Sequence, residues 1–488
     1  MPEQKNKKPK ESRLVPVITL CVVLSVLFLI PLKVISYGYL PPDDALRHAA
    51  KVISEKNWDE ILVMRDGIPM DSHPGWHAFL GFFRGLCGWN AGSLVVFSVV
   101  FLFLVFCLIP PVFLPRPEAW LLTLLIILLA NYVFLLRLFL GRPYIFTMAA
   151  VLLISFIWPF FKKKKFPYGP AVILTLAIAA STWIHCGWYL FALPVLCFFL
   201  AGQRRAGLRI ALCAAAGVAA GAFFTGNAYI FLRQTFLHAV NAFSNHPLQR
   251  MLVSEFQPFG GNALMIIAIL GILALRRARG ERPGKALKDP VFCLMAAGWV
   301  LGFLSQRFWL DWGMPAACAW IAVELNVIFE KHTGYFALQR VFLSGLAAAA
   351  LFLGLAQDNL RGRWTTGLIK ENLSLENPEH RKWLPGKGGI FYSSEMDLFY
   401  DTFFENPQGE WRYVLGFEPT WMSADNLEIF RNIQWNFHDD KSFRPWVKKM
   451  KPADRLVMRR PKKDPPDIPG LEWHYAVTGI WVGHLPKE

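Results

Sequence analysis

The sequence predicts an α-helical polytopic membrane protein of about eleven transmembrane helices, carrying a small α/β domain at its C-terminus on the side away from the cytoplasm. Three observations predict it. Apolar residues make up 54% of the chain and charged residues only 18%, against ~25% charged in a soluble chain. The apolar residues come in continuous blocks, not alternating ones, and ~20 helical residues cross a ~30 Å hydrocarbon layer with every backbone group satisfied. When the blocks are threaded alternately across a membrane, every strongly basic loop falls on one side.

The elements follow in order. Residues 1–13 carry Lys5, Lys7, Lys8, Lys10 and Arg13, a cytoplasmic basic tail before a first span from Leu14 to Ile35. No small-residue cleavage pattern follows, so the span reads as a retained anchor. Residues 14–357 form the multi-span domain, with a first outside loop at 37–90. Further spans are expected at 92–114, 118–136, 144–161, 168–184, from Trp188 to about 202, 208–226, 259–275, 290–304, 312–329 and 341–357. Inside loops then hold Arg116, Lys162 to Lys165, Arg204, Arg205 and Arg209, the basic run Arg276–Lys288, and Lys331 with Arg340. Residues 358–488 turn polar and rich in Trp and Pro. Strand-like runs lie at Gly389–Tyr392, Trp411–Phe417, Arg455–Met458 and Trp473–Val482, and helix-like stretches at 394–404, 423–437 and 442–450, with Ser394 and Ser423 as N-caps.

The net charge of +16 is distributed as inside-loop charge, not as a binding face, which argues against a nucleic-acid partner. All eight cysteines lie in or beside spans and none follows Cys318, so the tail has neither a disulfide framework nor a CxxC metal site.

The chemistry-bearing residues collect on the outside. Asp43-Asp44 opens a helix directly after the first span, with Arg47 and His48 three and four residues beyond Asp44 on the same face. Paired carboxylates can bind a hard divalent cation or act as a base, while Pro-Pro-Asp is equally an ordinary helix cap. Asp71, His73 and His77 offer ligands and a proton shuttle beside Trp76, or form an interfacial belt. His185 sits in the short turn 185–188. The loop 227–258 holds His238, His246, Arg250 and Glu255, and a carboxylate beside a span is costly unless partnered. Arg307 and Asp311 are spaced to pair with each other, and Arg307 and Arg142 suit phosphate through their planar forks.

With Asp43-Asp44, Asp71, Glu255 and Arg307 in that order, the chain resembles the C-type (GT-C) glycosyltransferases, which include oligosaccharyltransferase catalytic subunits and protein mannosyltransferases. The resemblance covers the arrangement of roughly residues 14–357. It implies an essential first-loop Asp, amphipathic helices along the membrane in that loop, and a late-loop Glu followed by a phosphate-contacting Arg. The implied reaction moves a sugar from a polyprenyl-phosphate donor, entering from the bilayer, to an extracytoplasmic glycan, lipid or protein acceptor. Asp43 or Asp44 would be the base, with inversion at the anomeric carbon, and Arg307 and Arg142 would clamp the phosphate. Arg47, His48, Asp71, His73, His77, His185 and Asp311 complete the substrate-binding set. A divalent cation (Mg or Mn) on Asp43, Asp44 and Glu255 is compatible with this reading, though some members need none.

The tail departs from oligosaccharyltransferases in lacking Trp-Trp-Asp, which argues against peptide-Asn as acceptor. Tyr413–Thr420 is similar to segments of uncharacterised bacterial membrane proteins, implying an inner-membrane location with a periplasmic tail. The competing readings are a transporter or flippase of a lipid-linked or anionic substrate, a lipid-linked glycan ligase or polymerase, and a scaffold subunit. A transporter predicts inverted repeats and midplane polar groups, and no repeat is evident.

Overall fold

The computed structural model describes residues 14–38, 40–41, 43–67, 70–244, 254–280, 283–334, 336–356 and 371–486. His246, Arg250 and Arg282 lie outside the described residues.

The protein is an integral membrane protein. Among the described residues, five helices are long and apolar enough to cross a membrane, or six if one bent pair counts as a single span. These are Val15–Ile35, Ala91–Phe113, Tyr144–Phe161, Arg204–Phe223 and Phe308–His332. Shorter apolar helices include Tyr168–Ile184, Trp188–Leu200 and Pro290–Gly302. Large apolar side chains such as Leu29, Val172, Leu212 and Leu346 face outward, as a lipid-facing surface requires.

With lipid outside, these helices gain nothing from water exclusion and associate through close packing. Tyr168–Ile184 and Arg204–Phe223 show how. Gly217 and Gly221 are four apart, and a Cβ at Gly221 would lie 2.3 Å from the Ala179 carbonyl oxygen. The two backbones therefore touch across a small-residue stripe.

The bundle has two chemically distinct ends. Tyr144–Phe161 starts at a polar cavity and ends where the Phe161 and Lys163 carbonyls accept hydrogen bonds from Arg209 (3.1 and 2.8 Å). Met314–His332 likewise starts beside Asp311 and ends at Thr333, whose carbonyl accepts from Arg116 (2.6 Å). Eighteen helical residues span ~27 Å, close to a hydrocarbon thickness. At the basic end Glu118 receives two hydrogen bonds from the buried Arg340 (2.6 and 2.9 Å), and Arg276 pairs with Glu324 (2.9 Å). Several of the basic residues assigned to solvated loops are thus buried ion-pair partners.

Three segments differ from the sequence expectation. The span expected at 118–136 breaks at Asn131 into Glu118–Ala130 and Tyr132–Leu138, bent by 115°. Asn131 leaves helical geometry and its side chain caps the second piece, accepting from the Phe134 N–H (3.4 Å). Residues Ala228–Ser244 within the expected loop 227–258 are helical, because Tyr229, Phe236, Leu237 and Val240 give them an exposed apolar face. Phe308–Gly313 forms a π-helical turn running into Met314–His332, where a loop followed by a span was expected. Such turns insert one residue and re-aim the side chains around them.

The C-terminal part builds a five-stranded sheet in the order β2-β1-β3-β5-β4. Its strands are β1 (Ile390–Tyr392), β2 (Arg412–Tyr413), β3 (Arg455–Arg459), β4 (Glu472–Val477) and β5 (Ile480–His484). β1 runs parallel to β2 and β3; β5 is antiparallel to β3 and β4. The run expected as one strand over Trp473–Val482 is a hairpin, because Gly479 (φ 80°) turns the chain between β4 and β5. Ser423 stands at the N-cap of Ala424–Trp435, but the cap of Met396–Glu405 is Glu395, not Ser394, whose hydroxyl bonds His438 instead (3.0 Å).

The sheet is fastened to the first loop. That loop forms Asp44–Ser54, Trp58–Ile61 and Pro74–Cys87, and its strand-like stretch bridges Leu62 to Tyr413 and Met64 to Met422. Val63 N–H donates to the Tyr413 carbonyl (2.9 Å) and Arg65 N–H to that of Trp421 (2.8 Å). Trp58, Phe417 and Trp421 pack ring to ring across the seam.

Candidate active site

A cavity of about 390 Å³ lies between the acidic end of the bundle and the sheet, within the range of small-ligand sites. Its wall includes Asp44, Arg47, His48, His73, Arg142, His185, Glu255, Arg307 and Asp311, with Tyr400 and Phe417 contributed by the C-terminal part.

Asp43 is the N-cap of Asp44–Ser54, so the ordinary reading of Pro-Pro-Asp is satisfied: it accepts the Asp44 N–H (2.6 Å). The same Oδ1 accepts from Arg142 Nε (2.5 Å). Asp44 accepts from Arg47 Nε (2.9 Å), and its other oxygen lies 3.6 Å from Arg142. Burial alone would raise the Asp44 carboxyl, but Arg47 and Arg142, with a hydrogen bond from Tyr400, hold it below the usual carboxylate range. The Arg47 guanidinium lies over the Phe417 ring at 3.8 Å, which ties this helix to the tail.

Glu255 is the centre of a guanidinium cluster. Its Oε1 accepts from Arg137 (2.5 Å) and Arg142 (2.6 Å), and its Oε2 from Arg307 Nε (3.0 Å). Burial favours the neutral acid, and the three guanidinium groups reverse that and keep it ionised. Arg137 also donates to Asp311 (2.7 Å). The i,i+4 spacing suggested an Arg307–Asp311 pair; each instead has its shortest bond elsewhere, because the π-helical turn separates their directions. Four carboxylates (Asp43, Asp44, Glu255, Asp311) interlace with four arginines (Arg47, Arg137, Arg142, Arg307), so this ion-paired cluster is formally neutral, and the cavity lining adds the carboxylate of Glu418. Arg307 is 44% exposed, against 17% for Arg142 and 5% for Arg137, so it is the guanidinium most open to an incoming anion.

A histidine cluster forms the neighbouring wall. Asp71 accepts a very short hydrogen bond from His77 Nδ1, His77 Nε2 meets His48 Nδ1 (2.8 Å), and Asp71 also accepts the His73 N–H (3.0 Å). The His185 ring centroid lies 5.7 Å from that of His73, and His185 Nδ1 bonds Thr147 (3.1 Å). Burial, then the nearby Arg47, drives His48 and His73 well below the usual imidazole range, so both are neutral at pH 7.

The carboxylates expected to hold Mg or Mn do converge, but around a guanidinium. Arg142 bridges Asp43, Asp44 and Glu255 through one side chain, and Arg137 and Arg307 take the rest of Glu255. A divalent ion there would sit against these guanidinium groups with its oxygen ligands already used. Asp43, Asp44 and Glu255 therefore do not fit a hard cation in this arrangement.

The sequence places Arg137 just before Arg142 as part of a candidate phosphate ligand, but not as the partner of Glu255 and Asp311. Three contributors were missed altogether. Tyr400, Phe417 and Cys186 carry no local signal, since their position depends on how the tail and the 185–188 turn pack.

This is a polytopic membrane fold with an ion-paired cavity at one end of its helix bundle, capped by a soluble sheet. Its fold is like that of a solved archaeal oligosaccharyltransferase. The chain is similar to the archaeal oligosaccharyltransferase AglB from Archaeoglobus fulgidus, solved with an inhibitory peptide and a dolichol-phosphate, at a TM-score of 0.51 and 12% identity over 95% of this chain and 74% of that one. A structure of the Archaeoglobus fulgidus oligosaccharyltransferase with Zn and sulfate aligns at a TM-score of 0.48 and 12% identity, over 91% of this chain and 68% of that one. No family model matches the chain, and no curated protein matches it.

Proposed function

We propose that this protein is a membrane glycosyltransferase that moves a sugar from a polyprenyl-phosphate-linked donor to an extracytoplasmic acceptor with inversion. The observation that carries this reading is convergence: Asp44, Arg142, Glu255 and Arg307, spread over more than 260 residues, line one cavity at one end of the bundle. A transporter would need its ionisable groups near the middle of the spans.

In this reading the shorter apolar helices also cross, giving about eleven spans. The N-terminus is cytoplasmic, residues 14–357 form the membrane domain, and 358–488 stand in the periplasm of a bacterial cell. The placement of basic residues at one end and the cavity at the other supports that orientation.

The donor phosphate pairs with Arg307, the most open guanidinium, and with Arg142 behind it. Asp44 is the base, because it faces the cavity while Asp43 is buried and engaged in capping and in binding Arg142. Its low proton affinity makes it effective late in the reaction: the acceptor hydroxyl becomes acidic only as its oxygen bonds to the anomeric carbon. The proton then passes to Asp44 as the phosphate leaves on the opposite side. Each charge that develops meets a fixed partner, so no step is routed through a divalent cation at the carboxylates.

The test compares envelope glycans and lipid-linked sugars in cells carrying wild type or Asp44→Asn at equal expression. The substitution is expected to leave folding intact, slow transfer by ~10²–10⁴ and accumulate the donor. Unchanged glycans and an unchanged donor pool would overturn the reading.

A further inference from the structure

The cavity holds a second set of ligating groups that the transfer reaction does not use as metal ligands. His73, His185 and Cys186 each bring one ligand atom within 4.8 Å of the other two. We propose that these three residues bind one zinc-class transition-metal ion, leaving a coordination position open to the cavity.

The donor set selects the metal. Two imidazoles and a thiol, with no carboxylate among them, suit zinc and its soft neighbours and reject magnesium or calcium. Three protein ligands with a fourth position open is the pattern of reactive zinc sites, as distinct from closed structural ones. Bonds of ~2.0–2.3 Å in a tetrahedron put ligand atoms ~3.3–3.8 Å apart, so closing the site takes about an ångström of side-chain rotation.

The surroundings are prepared for it. Thr147 occupies Nδ1 of His185 (3.1 Å) and is itself bonded to Ser181 (2.9 Å), which fixes the ring and leaves Nε2 for a metal. Nδ1 of His73 is buried without a hydrogen-bond partner, as is Nε2 of the fully buried His48, whose ring lies 4.9 Å from that of His73. Unpartnered buried nitrogens are costly, and a metal on the His73 ring would satisfy one of them. Asp71 fixes the His73 backbone and anchors the His77–His48 chain behind it. Gly187 leaves room for the His185 ring: a Cβ there would lie 3.1 Å from it. Among the described residues, no other group of histidine, cysteine and carboxylate side chains has this spacing.

The open position faces the same cavity as Arg307, so an ion here would present a Lewis acid to an anionic oxygen such as a phosphate. Metal binding is read without any transfer assay, so its failure leaves the transferase reading standing, and the converse also holds.

The experiment strips the full-length protein in detergent with a chelator and titrates it with cobalt(II). One cobalt per chain, displaceable by zinc, and a thiolate-to-cobalt charge-transfer band are expected. Cys186→Ser should abolish the band, the double variant His73→Ala/His185→Ala should abolish binding, and Thr147→Val should weaken it ~10–100-fold. Cys87→Ser, on an exposed thiol, should change nothing. As a check on wild type alone, zinc should protect Cys186 from alkylation, read by peptide mass spectrometry. No stoichiometric uptake by wild type, a band that survives Cys186→Ser, or no protection of Cys186 would each overturn the proposal.

Discussion

Arg137 holds Glu255 and Asp311 at once, at 2.5 and 2.7 Å, and is itself buried. Removing one partner of a buried ion pair leaves an uncompensated charge, at about 3–5 kcal/mol. Arg137→Ala is therefore expected to lower the melting temperature in detergent and the folded yield. Asp44→Asn should lower both by less, because Asp44 borders the cavity, its amide oxygen can still accept from Arg47, and Arg142 keeps Asp43 and Glu255. Equal melting temperatures for wild type and Arg137→Ala would refute the assignment of Arg137 as a structural anchor. At this scale the sequence showed residue type and little else. Asp43-Asp44, Glu255 and Arg307 were legible because charge beside a span is expensive and demands a reason. Their partners were not legible. Arg142 lies 99 residues from Asp43 and 113 from Glu255, and no local pattern encodes a bond across such distances.

Helices in this fold meet through features that the sequence analysis did not single out. Gly217 and Gly221, four apart, bring their helix backbone against Thr175 and Ala179. Gly221→Leu should force the two helices apart and lower the melting temperature by several degrees, with Gly271→Leu, at a helical glycine whose Cβ would meet nothing within 4 Å, as the control for helix glycine loss in general. If Gly221→Leu matched wild type in a melting curve, the close packing would not be needed. The break at Asn131 was not legible, since a polar residue inside an apolar block is compatible with a straight span. Only the packed bundle bends it by 115° and turns Arg137 toward Glu255. The helix Ala228–Ser244 was hidden for the opposite reason: its polar residues resembled a loop, while its apolar face was aimed outward.

Across the whole molecule, charge is sorted by end. Arg209 and Arg116 close the far ends of helices whose near ends open on the cavity, the arrangement that the proposed orientation requires. A reporter fused after residue 486 should behave as extracytoplasmic: alkaline phosphatase active, a cytoplasm-dependent fluorescent protein dark. The reverse pattern would invert the protein in the membrane and place the cavity in the cytoplasm, where a periplasmic acceptor could not reach it. The tail is not an independent appendage in this arrangement. It supplies Tyr400 and Phe417 to the cavity and shares backbone hydrogen bonds with the first loop, so a truncation before β1 would also remove part of the site.

The sequence by itself determined that this chain lives in a membrane and that its acidic residues cluster at loop positions. Both follow from hydropathy and charge along the chain, which are local properties set by the cost of dehydrating a peptide or an ion. The tertiary structure decided which charges neutralise one another, that a guanidinium stands between the three carboxylates, and that His73, His185 and Cys186 meet. Those outcomes depend on angles and distances of a few ångströms between segments far apart in sequence, and only the closed packing of the bundle against the sheet fixes them.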